Sequence, residues 1–325
     1  MLHLRVLPPR EPDSGRRHPP IGPLSPPRTP SWDGSVLFVN DTVGNSFVPI
    51  NPATGRPGAP VPVADPYNLY FTPDGRYARV MAEALNRIDF RDPRTMRLRS
   101  SMSVPCAGVN HMDFTADGRF AVASCEFSAQ LLYINMRTHT VAASLRTGVP
   151  TDMMRIRGGS MPQDVRLSPD GKILYVADMI ANGVWLIDAT RFREIGFIHT
   201  GLGAHGLLIS RDARYVFVSN RNEGSVSVIS TAANAVVHTW RIPGGGSPDM
   251  GGTPPTGRSC GGAADTTGWS TPCPPRTAAS SPRSRSGPGR TGCASSRSRA
   301  GIRSAIPATS TDIEPGWNRS AEVAR

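Results

Sequence analysis

The chain has 325 residues, a net charge of +11 and 6% aromatic residues. No apolar run approaches the roughly 20 residues that span a bilayer, so the sequence predicts no membrane-spanning helix. The positive charge is concentrated at the ends: residues 254–325 carry ten arginines against four acidic residues, and residues 1–30 carry five against two. A nucleic-acid site needs basic side chains on a folded face beside stacking aromatics, so this distribution argues against nucleic-acid binding.

The N-terminal segment, residues 1–30, contains nine prolines and no periodic apolar pattern. This composition predicts a disordered leader. The segment has no apolar core typical of a signal peptide, so the residues do not indicate a compartment. The stretch from Pro20 to Gly34 lies where the units described below have their first strand. We interpret it as an inner strand whose sequence pattern is degenerate.

An aspartate-led turn recurs along the rest of the chain, with spacings of 41, 43, 53 and 42 residues. The turn aspartates are Asp33, Asp74, Asp117, Asp170 and Asp212. Each turn is followed by a short apolar run such as Leu174–Ala177, and most units contain another, such as Val184–Ile187. Short runs separated by Asp-Gly or Asn-Gly are typical of antiparallel hairpins.

A period near 40 residues with four strands in each unit is typical of a β-propeller, in which neighbouring blades pack face to face. The sequence therefore predicts an all-β fold. One propeller domain of four-stranded antiparallel blades is expected over residues 31–252, with five to six blades legible. We expect this domain to be monomeric.

Polar side chains recur six and seven residues before the turn aspartates of the second to fifth units, and Asp249 holds the same position by register with the next repeat. In a propeller the inner strands line a central channel, so these positions surround one mouth of that channel. The predicted ligand-binding residues at this mouth are Asn68, Asn110, His111, Gln163, Asp164, His205 and Asp249. Further candidates for the same face are Glu126, Arg155 and Asp178.

Two interpretations of these polar residues stay open. Converging His, Asp, Asn and Gln side chains can bind a divalent cation, a carboxylate or a sugar-like ligand. Alternatively, they satisfy channel waters and one another, because buried polar groups need hydrogen-bond partners. Apart from such a divalent cation, no cofactor is predicted.

No catalytic residue is predicted. The sequence has no G-x-S-x-G, H-E-x-x-H or P-loop motif, and no G-x-G-x-x-G that opens a helix. His139 and His199 lie on or near outer strands, where we expect solvated side chains.

Two of the five cysteines, Cys106 and Cys125, belong to the repeats. Cys106 ends one outer strand and Cys125 follows the second strand of the next unit, so both lie towards the same face and a disulfide is geometrically allowed. Two free buried thiols are the alternative. Cys260, Cys273 and Cys293 lie in the tail and lack the paired spacing of a zinc site.

The repeat pattern stops after Gly252, and residues 253–325 are rich in Ser, Arg, Pro and Gly. Composition alone predicts a disordered tail. A second hypothesis is a frameshift. With GC-rich codons, regrouping the bases lets TPPTGRSCGGA encode ADGKVLWRR, which restores an Asp-Gly turn about 44 residues after Asp212. The tail would then be the out-of-frame remnant of the last blades.

Ser168–Val176, with the pattern Ser-Pro-Asp-Gly-Lys-x-x-Tyr-Val, resembles the YVTN-type β-propeller repeat. Tyr175–Asp178 and Phe217–Asn220 stand where that family has Tyr-Val-Thr-Asn. The resemblance covers residues 31–252 and implies seven blades of WD40-like architecture, related to lactonases and often found outside the cytoplasm. The metal and heme ligands of related reductase propellers are not matched.

These observations favour a non-enzymatic propeller that binds a small molecule or a protein at the channel mouth. The alternative is a lactonase-like hydrolase, in which a channel-mouth divalent cation polarises an ester carbonyl and His111 or His205 acts as base. A third hypothesis is a truncated or frameshifted product with impaired function.

Overall fold

Twenty-three β-strands make up the described part of the chain, which covers residues 28–148, 159–252, 259–264 and 269–272 of the computed structural model. They form five four-stranded antiparallel sheets and one three-stranded sheet, in each of which sequential strands are neighbours. The helical part of these residues is one 3₁₀ turn, Glu126–Ser128, and no helix there is long and apolar enough to cross a membrane. The predicted all-β propeller is confirmed.

Each sheet is one blade, and its strands run in order from the channel outward. Blade 1 contains β1 (Arg28–Pro30), β2 (Leu37–Asp41), β3 (Ser46–Ile50) and β4 (Val61–Pro62), and blade 2 contains β5 (Asn68–Phe71), β6 (Ala78–Ala82), β7 (Arg87–Arg91) and β8 (Leu98–Ser103). Blade 3 contains β9 (Val109–Phe114), β10 (Phe120–Cys125), β11 (Gln130–Asn135) and β12 (Thr140–Arg146), and blade 4 contains β13 (Pro162–Leu167), β14 (Ile173–Asp178), β15 (Gly183–Asp188) and β16 (Arg193–His199). Blade 5 contains β17 (Ala204–Ile209), β18 (Tyr215–Asn220), β19 (Ser225–Ser230) and β20 (Ala235–Arg241), and the three-stranded blade 6 contains β21 (Pro248–Gly252), β22 (Ser259–Ala264) and β23 (Trp269–Pro272).

Burial falls from the first strand of a blade to the fourth. Every residue of β9 and β13 is buried, whereas the residues of β12 and β20 are all exposed or half-buried. This gradient is what a propeller predicts, with the first strands around the channel and the fourth strands at the rim.

Apolar side chains fill the spaces between neighbouring blades. Between blades 2 and 3, Met81, Ile88 and Phe90 pack with Met112 and Phe114. Corresponding clusters join blades 1 and 2, blades 3 and 4, and blades 4 and 5. A single four-stranded sheet has no such partner, so each blade depends on its neighbours to bury its apolar faces.

The turn after the first strand is built in the same way in blades 1 to 5. A hydroxyl two residues before the turn aspartate donates to the aspartate Oδ1 over 2.5 to 2.7 Å. The donors are Ser31, Thr72, Thr115, Ser168 and Ser210. The residue after the aspartate is left-handed, with φ of 64 to 75° in four glycines and 61° at Ala213. Because glycine adopts such φ values without steric cost, the Asp-Gly repeat has a direct backbone cause.

The two ends of the domain also contain strands. β1 pairs antiparallel with β2, so the end of the Pro-rich leader does form a first strand. Beyond Gly252, β22 pairs with both β21 and β23. Residues 1–27, 149–158 and the remainder of 253–325 lie outside the described residues, together with the predictions of a disordered leader and an out-of-frame tail.

Candidate functional site

The predicted mouth residues of four blades lie in β-bulges at the start of the inner strands. In β9, β13, β17 and β21 the register shifts by one residue, so that two residues face one residue of the next strand. The four pairs are Asn110-His111, Gln163-Asp164, His205-Gly206 and Asp249-Met250. A bulge redirects side chains away from regular alternation and is frequent beside binding sites. The shared spacing in the sequence therefore has a shared backbone geometry.

Amide side chains from adjacent blades form a connected network at this mouth. Asn110 Nδ2 donates to Gln163 Oε1 (3.3 Å) and to Glu126 Oε2 (2.8 Å). Gln163 Nε2 donates to the same Glu126 oxygen over 2.8 Å. Asn68 Nδ2 donates to the backbone carbonyl of Asn110 over 2.8 Å. These bonds join blades 2, 3 and 4.

The Glu126 carboxylate also accepts a hydrogen bond from a second carboxyl group, that of Glu83. Burial, followed by the charge of Glu126, raises the pKa of Glu83 to about 9. Glu83 is therefore protonated at neutral pH, and the pair carries one negative charge. Burial and then the Glu126 charge also raise the pKa of the Tyr67 hydroxyl. The mouth is thus rich in hydrogen-bond acceptors and locally negative.

His111 is a neutral, enclosed member of the site. Its side chain is 3% exposed, and Nδ1 lies 3.3 Å from Asn68 Nδ2, 3.2 Å from the Tyr70 hydroxyl and 3.5 Å from Asp164 Oδ1. Burial, followed by His205 and Arg166, lowers the pKa of His111 well below its usual value. The ring therefore offers hydrogen bonds without a charge.

Buried aspartates link each inner strand to the next. Asp164 Oδ2 accepts from the Leu207 backbone N–H of β17 over 2.9 Å, and Asp164 Oδ1 lies 3.1 Å from Arg166 Nη1. Asp113 Oδ2 accepts from the Leu167 N–H of β13 over 2.7 Å. Burial raises the pKa of both carboxyl groups. These contacts hold the inner strands in register around the channel.

His205 of blade 5 and Asp249 of blade 6 lie in close contact. His205 Nδ1 lies 2.8 Å from Asp249 Oδ1. Although burial favours the neutral acid, His205 and Arg221 hold the pKa of Asp249 well below its usual value. The His205 ring meets the His111 ring edge to face, with 6.2 Å between centroids. Within the described residues neither His205 Nδ1 nor Asp249 Oδ1 makes a hydrogen bond of regular geometry, so the pair is a close contact.

Comparisons with known proteins agree with this architecture. Residues 28–252 match the family described as YNCE-like beta-propeller. The chain belongs to this family. Among solved structures it is similar to the hydrazine synthase of Kuenenia stuttgartiensis, with a TM-score of 0.63 and 16% identity over 76% of this chain and 83% of that one. This likeness shows the fold alone, and no curated protein matches the sequence.

In this YNCE-like propeller the seven predicted mouth residues lie in one polar region, connected by the contacts above. That they bind a ligand stays a prediction. The sequence analysis placed Glu126 there only as a further candidate and missed Glu83. Both directly follow the second strand of their blades, where the other blades have Thr42, Met179 and Arg221. Aligning the repeats at that position would have singled out two adjacent acidic residues.

The other candidates have different outcomes. Asp178 stabilises local structure, because it accepts hydrogen bonds from the Met161 N–H (2.9 Å) and the Trp185 indole (2.9 Å). Arg155 lies outside the described residues. Within the described residues, no group of three or more His, Cys, Asp or Glu side chains is arranged to hold a metal ion.

Cys106 and Cys125 are joined in the structure, with sulfur atoms 2.05 Å apart, as in the disulfide alternative of the sequence analysis. Cys125 ends β10 as Asp178 ends β14. Asp178 hydrogen-bonds Met161, just before the inner strand of its blade, and Cys125 is bonded to Cys106, just before β9. Both residues thus connect the second strand to the segment that leads into the first strand.

Proposed function

We propose that this chain is a non-enzymatic binding propeller whose channel mouth holds a small polar ligand rich in hydrogen-bond donors, such as a sugar-like polyol. One observation carries the proposal: polar side chains from blades 3 to 6 converge at the mouth through bulges repeated at equivalent positions, and Asn68 of blade 2 joins them by a hydrogen bond to Asn110. Satisfying buried groups alone does not require the same bulge in four successive inner strands.

The charge at the mouth favours donors over a carboxylate ligand. The lowered pKa of Asp249 keeps its carboxylate charged, and Asn68 Oδ1 is buried without a hydrogen-bond partner among the described residues. A carboxylate would be repelled by these oxygens, whereas a hydroxyl-rich ligand can donate to them. A donor-rich protein loop presents the same chemistry and is the corresponding protein partner.

Isothermal titration calorimetry with a panel of neutral mono- and disaccharides tests the proposal, with acetate as the carboxylate probe. We expect at least one sugar to bind and acetate not to bind. Gln163→Ala and His205→Ala should each weaken sugar binding tenfold or more. Glu194→Ala, on the exposed strand β16, is the matched control and should bind as the wild type does. Absence of sugar binding, or unchanged affinity in both mouth variants, would overturn the proposal.

A second candidate, a lactonase-like hydrolase, is favoured by the His205–Asp249 pair at 2.8 Å. In that function a cation at the mouth polarises the ester carbonyl while His205 activates water. Metal content of the purified protein and turnover of a lactone panel test it. The absence of both metal and turnover would exclude this function.

The hypothesis of an out-of-frame tail concerns residues after Gly252 and bears on either function. The last described sheet has three strands where the preceding blades have four. Sequencing the gene across the Gly252 codon tests the hypothesis. A single-base change that restores the Asp-Gly repeat would support it, and an unchanged reading frame would exclude it.

A further inference from the structure

A cleft of about 680 Å³ opens between blades 2 and 3 on the face opposite the channel mouth. Its walls come from the turns that follow the first strands of both blades and from the turn between β11 and β12. The side chains that matter here are Arg76, Tyr77, Arg119, Phe120, Arg137 and His139. This volume lies within the range of small-molecule sites, roughly 300–1,000 Å³.

Arg79 of β6 is buried beside this cleft without a hydrogen-bond partner. Its side chain is fully buried, and none of its three guanidinium nitrogens is hydrogen bonded within the described residues. The guanidinium carbon lies 4.6 Å from the centroid of the Phe90 ring. Burial lowers the pKa of Arg79 to about 10, so the group is still charged at neutral pH. A buried charge of this kind is costly unless a counter-charge is supplied.

The repeat shows that the fold does not need an arginine at this position. Arg79 lies five residues after the turn aspartate of blade 2. The equivalent residues of the other blades are Phe38, Val122, Tyr175 and Phe217. Four apolar or aromatic side chains occupy the same place between blades, so the charge in blade 2 calls for a separate explanation.

The residue of the following blade that packs against the Arg79 position also differs in blade 3. It is the left-handed residue of the turn between the third and fourth strands. Met96 shares the apolar cluster of Phe38, and Asn234 accepts a hydrogen bond from the Tyr175 hydroxyl over 2.7 Å. In blade 3 the equivalent residue is His139, and no hydrogen bond joins it to Arg79 in the described structure.

The prediction that His139 is a solvated side chain was wrong. Its ring is half-buried and stacks on Phe90, with 3.9 Å between centroids, and it meets Tyr77 edge to face at 5.0 Å. Burial, followed by the charges of Arg79 and Arg76, lowers the pKa of His139. Besides burial, the nearby charges of Arg79 and Arg76 thus contribute a positive electrostatic potential at the ring.

Exposed arginines add to this potential. The basic residue after the turn lies near its own aspartate in blades 3 to 5, at 3.9 Å for Arg119, 3.5 Å for Lys172 and 2.8 Å for Arg214. Arg76, at the same position in blade 2, makes no such ion pair within the described residues. Three arginines and two carboxylates, those of Asp74 and Asp117, line the cleft, and Arg79 is buried beside it.

We propose that the cleft between blades 2 and 3 is a second binding site, specific for a small molecule that carries a phosphate group on an aromatic or other planar body. Arg76, Arg119 and Arg137 supply donors for the phosphate oxygens. Arg79 provides a fixed buried charge next to them. Tyr77 and Phe120 form the wall for the planar part. This site is separate from the proposed mouth site and does not depend on it.

Calorimetric titrations with inorganic phosphate, pyrophosphate and phenyl phosphate, at constant ionic strength, test the proposal. We expect pyrophosphate to bind and phenyl phosphate to bind at least tenfold more tightly than inorganic phosphate. The His139 ring signals in the NMR spectrum should shift on saturation with each bound probe, because the anion lies against that ring. Sodium chloride at matched ionic strength should not reproduce the shift.

Arg79→Met separates binding from stability, because it restores an apolar side chain like those of the other blades. This variant should lose at least tenfold in pyrophosphate affinity while its melting temperature stays equal or rises. Arg137→Ala, an exposed substitution, should also weaken binding, whereas Arg193→Ala on β16 should not. Wild-type affinity in both Arg79→Met and Arg137→Ala, or unshifted His139 signals at saturating phenyl phosphate, would overturn the site.

Discussion

Aspartate side chains have opposite environments at the two ends of the inner strands. At the turn end, Asp33 and Asp170 are exposed, and hydrogen bonds from Ser31 and Ser168 lower the pKa of each carboxyl group, to about 2 for Asp33. At the other, channel-mouth end, Asp164 is fully buried, and burial raises the pKa of its carboxyl group. Hydrogen bonds at the turn end thus stabilise the charged form of the carboxyl groups, whereas burial at the mouth end destabilises it.

This difference separates structure from candidate function. The hydroxyl–carboxylate hydrogen bond of each turn aspartate is local, two residues away in the sequence, and repeats from blade to blade. The contacts of the mouth side chains cross from one blade to the next and differ in each blade. Perturbed carboxyl groups in a polar, concave region are typical of binding sites, although structural networks also produce them.

The largest expected effect comes from removing the buried carboxylate at the mouth. Asp164→Ala should lower the free energy of unfolding by about 3 kcal/mol or more, because Arg166 loses a buried counter-charge and Leu207 a hydrogen-bond acceptor. Asp170→Ala, at the turn end of the same strand, should lower it by less than about 1 kcal/mol, as expected for an exposed group. Urea denaturation of the two variants measures both values. Equal losses would contradict the contrast between the two ends.

The disulfide is the next largest contribution, and it strengthens only the mouth end. Replacing both Cys106 and Cys125 by serine should lower the free energy of unfolding by about 3 kcal/mol, because the bond closes a loop with a sequence separation of 19. Dithiothreitol should lower the melting temperature of the wild type to that of the double variant. The double variant itself is the control and should not respond. A wild type that is insensitive to reductant would indicate free thiols.

The paired carboxyl groups predict an unusual pH dependence. Glu83 keeps its proton to about pH 9 in the folded chain, whereas its ordinary pKa is 4.5. Between these values the unfolded chain binds fewer protons than the folded chain, so stability falls as the pH rises. Glu83→Gln should remove this loss and raise the melting temperature at pH 8.5 more than at pH 5.

Asp33→Asn, the matched variant at the turn end, should change the melting temperature in the opposite direction. Because the pKa of Asp33 is lowered from 3.8 to about 2, its contribution is present above pH 3.8 and is lost as the pH falls through 2. Asp33→Asn should therefore lower the melting temperature at pH 7.

For the Glu83 prediction, a Glu83→Gln variant that loses stability at pH 8.5 would exclude a protonated Glu83.

The fold and the positions of the seven mouth residues were predictable because they repeat. The turn aspartates recur about every 40 residues, and positions counted from them located Asn110, Gln163 and His205. Glu83 and His139 also occupy repeated positions, but their environments depend on side chains of the neighbouring blade. Burial and then the charge of Glu126 of blade 3 raise the pKa of Glu83, and the His139 ring stacks on Phe90 of blade 2. Contacts between blades, set by packing, were therefore the part that periodicity could not supply.

The smallest expected effect comes from the residue that follows the turn aspartate, and it tests whether the five turns have the same backbone strain. Gly171 has φ of 75°, and an added Cβ would lie 2.9 Å from the Ala116 Cβ, so Gly171→Ala should cost about 1–2 kcal/mol. Ala213 has φ of 61° in the equivalent turn and already carries that strain. Ala213→Gly should therefore stabilise the chain by about 0.5 kcal/mol, the relief of strain less the added entropy of the unfolded glycine. Thermal denaturation of both variants measures the difference. If Ala213→Gly destabilises the chain, the fifth turn is held by contacts that the other four lack.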